Sequence, residues 1–463
     1  MTILALESSS SSSKALIFDT EKGILKVETC SFPHSIDNQI SQDTEGIYDE
    51  LLKIACRICS GYKIDAIAIG STWQSVIACD MVSMQPVTRT HTWMDTGAAG
   101  VASRLRTDNE LTSYYYHNCG CMIHSIYIPF KLMHMREQGL SLSDKFIIDQ
   151  GSYNFFRLTG KKICTVSMAS GMGLLNIHNL SYEPEALKIA GISTSQLGQL
   201  GTCRDFGQLS KAAAREIGLP QGIPVIPAFP DGALNQVGAG AAQPGTMTLS
   251  VGTSAALRMM VEKPLTSKCF STWCYVSAKD GWLSGAATSG ACNCIGWVKK
   301  HVLNGRHSYR QLEDSPVDMA NLPIFLPFIY GERCPGWNDE RCGGFHDLRP
   351  SHGPADLFIS TLEGVLFNIK QCYNILISLS QKPEKIMVSG GISNSPLWTQ
   401  MLSDILEENI YLADMEQCSL VGGALMAAAA FGMEVSFTHE TKIVSPKSAY
   451  HNRYKRYMEL YSF

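Results

Sequence analysis

Asp231 is a carboxylate placed where a proton acceptor would be useful. It follows the apolar run "IPVIPAFP" and precedes Gly232, and in the next stretch, "GALNQVGAGAA", only Asn235 and Gln236 carry polar side chains. That pattern predicts a strand-to-helix junction with one acid at the helix start. Two chemistries are open to it. It could take the proton of an alcohol during phosphoryl transfer, which requires one positioned base. It could also serve as a helix N-cap, a role in which Asp excels.

Three small-residue turns point to the same reaction. They are Ser8 to Ser13 in "ILALESSSSSSKALIFD", Gly252-Thr253-Ser254 in "TMTLSVGTSAALRMM", and Gly390-Gly391 in "EKIMVSGGISNSPLW". Each follows an apolar run with the length of a buried strand. Successive backbone N–H groups and hydroxyls at such a strand end make a concavity for phosphate oxygens without any formal positive charge. Ser10, Ser11, Ser12, Gly252, Thr253, Gly390, Gly391 and Ser395 are the candidate phosphate contacts. Six consecutive serines also fit a flexible tract, but apolar strands pin this run on both sides. Lys14 could reach a phosphate or lie on the surface. Glu7 could hold the waters of a phosphate-bound Mg²⁺ or face solvent.

The elements that would carry these turns occur twice. Strand, small turn, strand opens the first half and returns at Thr246 to Met260. "KIDAIAIGSTWQS" in the first half and "EKIMVSGGISNSPLWTQMLSDIL" in the second are buried strands ending in small or polar residues. The second runs into a helix with Leu397, Met401, Leu402 and Ile405 on one face. "LVGGALMAAAAFGM", residues 420–433, is shorter than the ~20 residues of a membrane span and predicts a packed helix. Alternating strands and helices give α/β layers, built twice, with a ligand cleft between them. Pro244 and Gly245 punctuate the chain, so the halves are placed at 1–243 and 244–463.

Bulk properties agree. At 463 residues the chain exceeds a single core. A net charge of −4 and a pI near 6.3 give no electrostatic case for nucleic acid or an anionic membrane, so the partner is expected to be a small molecule. No Lys or Arg precedes Lys14 and Glu7 interrupts the apolar start, which reads against a signal peptide and for a cytoplasmic protein. The sixteen cysteines then read as thiols, since no pair has the spacing of a four-ligand zinc site.

Taken together, "KALIFD", "HTWMDTGAA", "MIHSIYIPFKLMHMRE", "PDGALNQVGAGAAQPGTMTLSVGTSAALR", "FLPFIYGERCPGWNDERCGGFHDL" and "SGGISNSPLWTQMLSDIL" resemble the FGGY carbohydrate kinase family over nearly the whole chain. The resemblance implies two actin-like, ribonuclease-H-like α/β domains with a catalytic cleft between them. The first would bind sugar and the second ATP with Mg²⁺. It implies Asp231 as general base and the serine run as the family's first phosphate turn. Homodimers are also implied. "GTSAALR" and "LPFIYGERCPGWNDER" are similar to the gluconate kinase branch, while xylulose kinases share most of the blocks. A gluconate carboxylate would want a cation, which Arg258 or Arg333 could supply; arginines near turns also tie carbonyls or carboxylates together. A non-catalytic sugar or nucleotide sensor of the same fold is the alternative class.

The chain departs from the family pattern at several positions. Glu7 and Ser9 stand where Asp and Gly are usual, and Ser9 adds a side chain where glycine allows positive φ. Trp73-Gln74 replaces Met-His; Trp73 could stack on a sugar or belong to the core, and Gln74 could bond hydroxyls. In "WMDTG", Trp93 and Asp95 remain as substrate-side candidates, but Gly97 replaces an arginine fork. Cys292 takes a glycine position on the nucleotide side.

Overall fold

The computed structural model describes residues 1–36, 40–413 and 416–462. In the first lobe, β1 (Thr2–Ser8), β2 (Ser12–Asp19) and β3 (Gly23–Ser31) form an antiparallel meander. β4 (Ala66–Ser71) joins β1 in parallel, and β5 (Gly207–Gln208), β6 (Pro224–Val225) and β7 (Phe229–Pro230) complete a seven-stranded sheet. The order is β5-β6-β4-β1-β2-β3, with β7 also paired to β4.

The alternation of side chains explains why this sheet is sandwiched. Leu4, Leu6, Ala15 and Ile17 share one core with Leu51, Ile54, Ala55 and Ile58 of helix α1 (Thr44–Cys59). Ile3, Ala5, Leu16 and Phe18 point to the other face and join the main core. Strands buried on both faces read as unbroken apolar runs, as "ILAL" and "ALIF" do. Helix α2 (Ile128–Glu137) packs farther out, and α3 (Asp231–Gly238) follows β7 directly.

The second lobe repeats the plan. Its strands are β8 (Thr246–Val251), β9 (Ala255–Val261), β10 (Trp273–Val276), β11 (Trp282–Thr288), β12 (Lys385–Ser389), β13 (Ile410–Ala413) and β14 (Thr441–Val444). Their order is β10-β11-β9-β8-β12-β13-β14. Remove the edge strand β10, and both sheets run meander, parallel strand, parallel strand, antiparallel edge. Helices α4 (Pro354–Leu379), α5 (Pro396–Leu406) and α6 (Cys418–Ala430) complete the lobe. In α5, Met401, Leu402 and Ile405 are buried as the spacing predicts, and Leu397 is half-buried.

α3 and α6, each following the corresponding part of its sheet, cross at two glycines. A Cβ on Gly238 would lie 1.9 Å from the Cys418 carbonyl oxygen, and one on Gly422 would lie 1.9 Å from that of Leu234. Only glycine lets these backbones touch. α6 also rests on the first sheet, where a Cβ on Gly423 would meet Ala68 and Ala5. The lobes are therefore joined at this crossing, and α3 delivers Asp231 beside it. No helix among the described residues is long and apolar enough to cross a membrane.

Candidate active site

A cavity of about 210 Å³ opens between the lobes. Ser10, Trp73, Gln74, Trp93 and Asp231 line it from the first lobe; Ser254, Arg258, Trp273, Tyr275 and Arg333 line it from the second. Of the sequence candidates, the cavity thus gathers Ser10, Trp73, Gln74, Trp93, Asp231, Arg258 and Arg333.

Asp231 is the first residue of α3, and Pro230 is the cap residue, so the N-cap alternative falls away. Its Oδ1 accepts the N–H of Gly232 at 2.7 Å. Burial pushes the carboxyl up to about 6, the nearby Glu7 charge adds to this, and Arg258 opposes it. Gly232 is required by its neighbours: a Cβ there would fall 2.6 Å from the Trp73 ring and 3.1 Å from Arg258 Nε.

The serine run is a tight β1–β2 turn. The Ser9 N–H donates to the Ser12 carbonyl at 2.9 Å, and the two hydroxyls are 2.8 Å apart. Ser9 is not left-handed, so the turn needs no glycine there. Ser12 is put to another use than phosphate contact: it opens β2, is buried, and spends its hydroxyl inside the turn. Ser11 is exposed at the tip, and the Ser10 hydroxyl accepts the Trp93 indole N–H at 3.0 Å. Glu7 and Lys14 stand opposite each other in the β1–β2 register, with Lys14 Nζ 3.2 Å from Glu7 Oε1. Glu7 raises the lysine above its ordinary value, against the effect of burial. Glu7 is buried rather than solvent-facing, and its Oε2 has no partner.

The second-lobe turns are uncharged. Around Gly252, a Cβ would meet nothing within 4 Å, and Thr253 is exposed. Gly390 has φ +95°, and a Cβ there would strike the Val251 carbonyl at 2.4 Å. Cys292 joins the two turns: its N–H donates to the Gly252 carbonyl at 2.9 Å, and its Sγ would be 3.0 Å from a Cβ on Gly391. Ser395 also has another use. It caps α5, accepting the Trp398 N–H at 3.0 Å.

Trp73 belongs to the core and also borders the cavity. It lines the cavity, yet is 6% exposed, donates to the Ser167 carbonyl and packs edge-on against Tyr275. Gln74 is buried at φ +59°, a conformation that costs a non-glycine residue free energy and clusters at functional sites. Asp95 does not reach the cavity. His91 Nδ1 donates to it at 2.7 Å and the Gly97 N–H at 2.9 Å. Burial pushes its carboxyl up, but the His91 bond and the Lys131 charge outweigh this and hold it at about 2.

Arg258 reaches over from β9, donates to Ser250 Oγ at 3.3 Å and leaves its Nε unbonded. Burial pulls its pKa down. Arg333 donates no hydrogen bond to the protein among the described residues; its guanidinium lies 5.9 Å from the Trp93 ring centroid. Trp273 and Tyr275, stacked at 4.2 Å, were not among the candidates. Their i, i+2 spacing places them on one face of a strand, which the sequence does disclose. That β10 reaches the first lobe, with Tyr275 Oη 2.7 Å from Tyr127 Oη, it does not.

Family models decide what this geometry belongs to. The model described as "FGGY family of carbohydrate kinases, N-terminal domain" matches residues 2–238, and its C-terminal counterpart matches 247–431. The chain belongs to the FGGY family of carbohydrate kinases. It is a phosphotransferase that acts on a carbohydrate. A gluconokinase of Bacillus subtilis is 26% identical over 94% of this chain and 88% of that protein. A xylulose kinase of Klebsiella pneumoniae is 30% identical, over 57% of this chain and 54% of its own. The solved gluconate kinase of Lactobacillus acidophilus superposes with a TM-score of 0.91 at 23% identity, over 100% of this chain and 96% of that one, a likeness of fold alone.

Proposed function

We propose that this kinase transfers the terminal phosphoryl group of ATP to a hydroxyl of a small sugar acid, with gluconate as the best fit. Asp231 takes the hydroxyl proton. Its raised carboxyl is still mostly ionised at neutral pH and more basic than an ordinary aspartate, which suits a general base. The serine turn with Ser10 and Ser11, and the Gly252-Thr253 and Gly390-Gly391 turns, supply backbone donors for phosphate oxygens.

Arg333 favours a sugar acid over a neutral sugar. A half-buried guanidinium that forms no hydrogen bond among the described residues, beside a second arginine and an open cavity, is matched by a carboxylate, which takes two parallel N–H bonds. Arg258 has the Asp231 carboxylate as a charge partner, so a neutral ketopentose would leave Arg333 as the cation without a matching group. The gluconokinase relative supports the same choice.

Among the described residues no group of three or more His, Cys, Asp or Glu could hold a metal by itself. The buried, unpartnered Oε2 of Glu7 fits Mg²⁺ held through water and phosphate oxygens, a common arrangement for this ion. When bound, Mg²⁺ supplies charge neutralisation on the phosphate oxygens.

The test is ATP consumption with gluconate, xylulose, ribulose and glycerol. Turnover with gluconate well above the others supports the reading. Preference for xylulose makes the enzyme a pentulose kinase, and tight binding without turnover across the panel makes it a sensor.

A further inference from the structure

Among the described residues, Lys131 is the one buried lysine, 2% exposed on α2. A charge in such a place is costly unless its donors are used. Here the ammonium donates to two backbone carbonyls, those of Thr92 and Asp95, the second at 2.9 Å. These carbonyls bracket Trp93 in a segment with no regular secondary structure. Trp93 in turn donates its indole N–H to Ser10 Oγ at 3.0 Å and lies under the Arg333 guanidinium. One cation on a helix thereby reaches, through a single indole, both the serine turn of the first lobe and an arginine of the second.

We propose that Lys131 is a positioning residue for catalysis. Its ammonium fixes the segment from Thr92 to Gly97 so that Trp93 aligns Ser10 and Arg333 with Asp231. Packing alone does not require the charge, since an unbranched apolar side chain would fill the same space; what it would remove is the donor to the Thr92 and Asp95 carbonyls. The proposal rests on the reading of the cavity as the sugar-acid site.

Lys131→Met and Lys131→Gln test it, compared with Trp93→Phe and the double variants. In the folded variants we expect the KM for gluconate to rise about ten- to a hundredfold. The Trp93→Phe effect should largely disappear once Lys131 is replaced, because both act through one indole. A KM within about twofold of wild type, or effects that multiply, overturns the proposal, as does failure of both Lys131 variants to fold. A second readout is independent of turnover. In protein labelled with 5-fluorotryptophan, which has seven tryptophans, the ¹⁹F line assigned to Trp93 should move in Lys131→Gln. If that line moves while wild type ignores gluconate, the substrate reading fails and the positioning role stands; if it stays fixed, the role is refuted.

Discussion

The two lobes share one strand order and use it differently. In the first, the turn after β1 is closed by serine hydroxyls, an ion pair crosses the strand ends, and the helix after β7 begins with an acid. In the second, the corresponding turn is open around Gly252, it carries no charge, and the helix after β13 begins at Cys418. The cations on that side, Arg258 and Arg333, face the first lobe's acid across the cavity. A duplicated scaffold therefore supplies the cleft, and its unequal decoration places an acid on one side and uncharged open turns with two arginines on the other; in the proposed function these are the proton acceptor, the phosphate turns and the anion-binding cations.

Removing the acid should break this asymmetry most severely. Asp231→Asn is expected to lower kcat by about 10²–10⁴-fold with little change in substrate KM, measured by steady-state kinetics. The same change should raise thermal stability at neutral pH. The folded carboxyl titrates near 6, above the ordinary 3.8, so its contribution to folding is present when protonated and is lost as pH rises through that window. A neutral amide escapes the loss, and a melting curve at pH 7 reads it.

Arg333→Leu should come next. Loss of a charged, bidentate partner is worth about 1.5–3 kcal/mol, or roughly 10- to 150-fold in the KM for gluconate. KM for a neutral sugar should move far less, so the ratio between the two substrates is the informative number.

The smallest effects compare glycines of the two kinds. Gly422→Ala forces a methyl against the Leu234 carbonyl and should destabilise by about 1–3 kcal/mol. Gly252→Ala meets open space and should change stability by about 0.5 kcal/mol or less. Paired denaturant melts separate the crossing of α3 and α6 from the open turn.

What the sequence disclosed was mainly local. Asp231 and the three turns are read from contiguous residues, because a strand end followed by small residues leaves the backbone few options. The packed helix at 420–433 was legible for the same reason, and α6 covers most of it. Partners three or four positions away were not legible: Ser12 bonds Ser9, Asp95 bonds His91, and Ser395 caps α5. Contacts across the lobes were out of reach. Neither the position of Arg333 over Trp93 nor the entry of β10 into the cavity has a signature in periodicity.

The pH dependence of kcat/KM for gluconate, in wild type and Asp231→Asn, tests the role of Asp231 most directly. The account predicts a wild-type profile that falls below pH about 6, as the base is protonated, and a variant whose residual activity lacks that limb. A variant that keeps more than about a tenth of the activity, with the same limb, would show that another group accepts the proton.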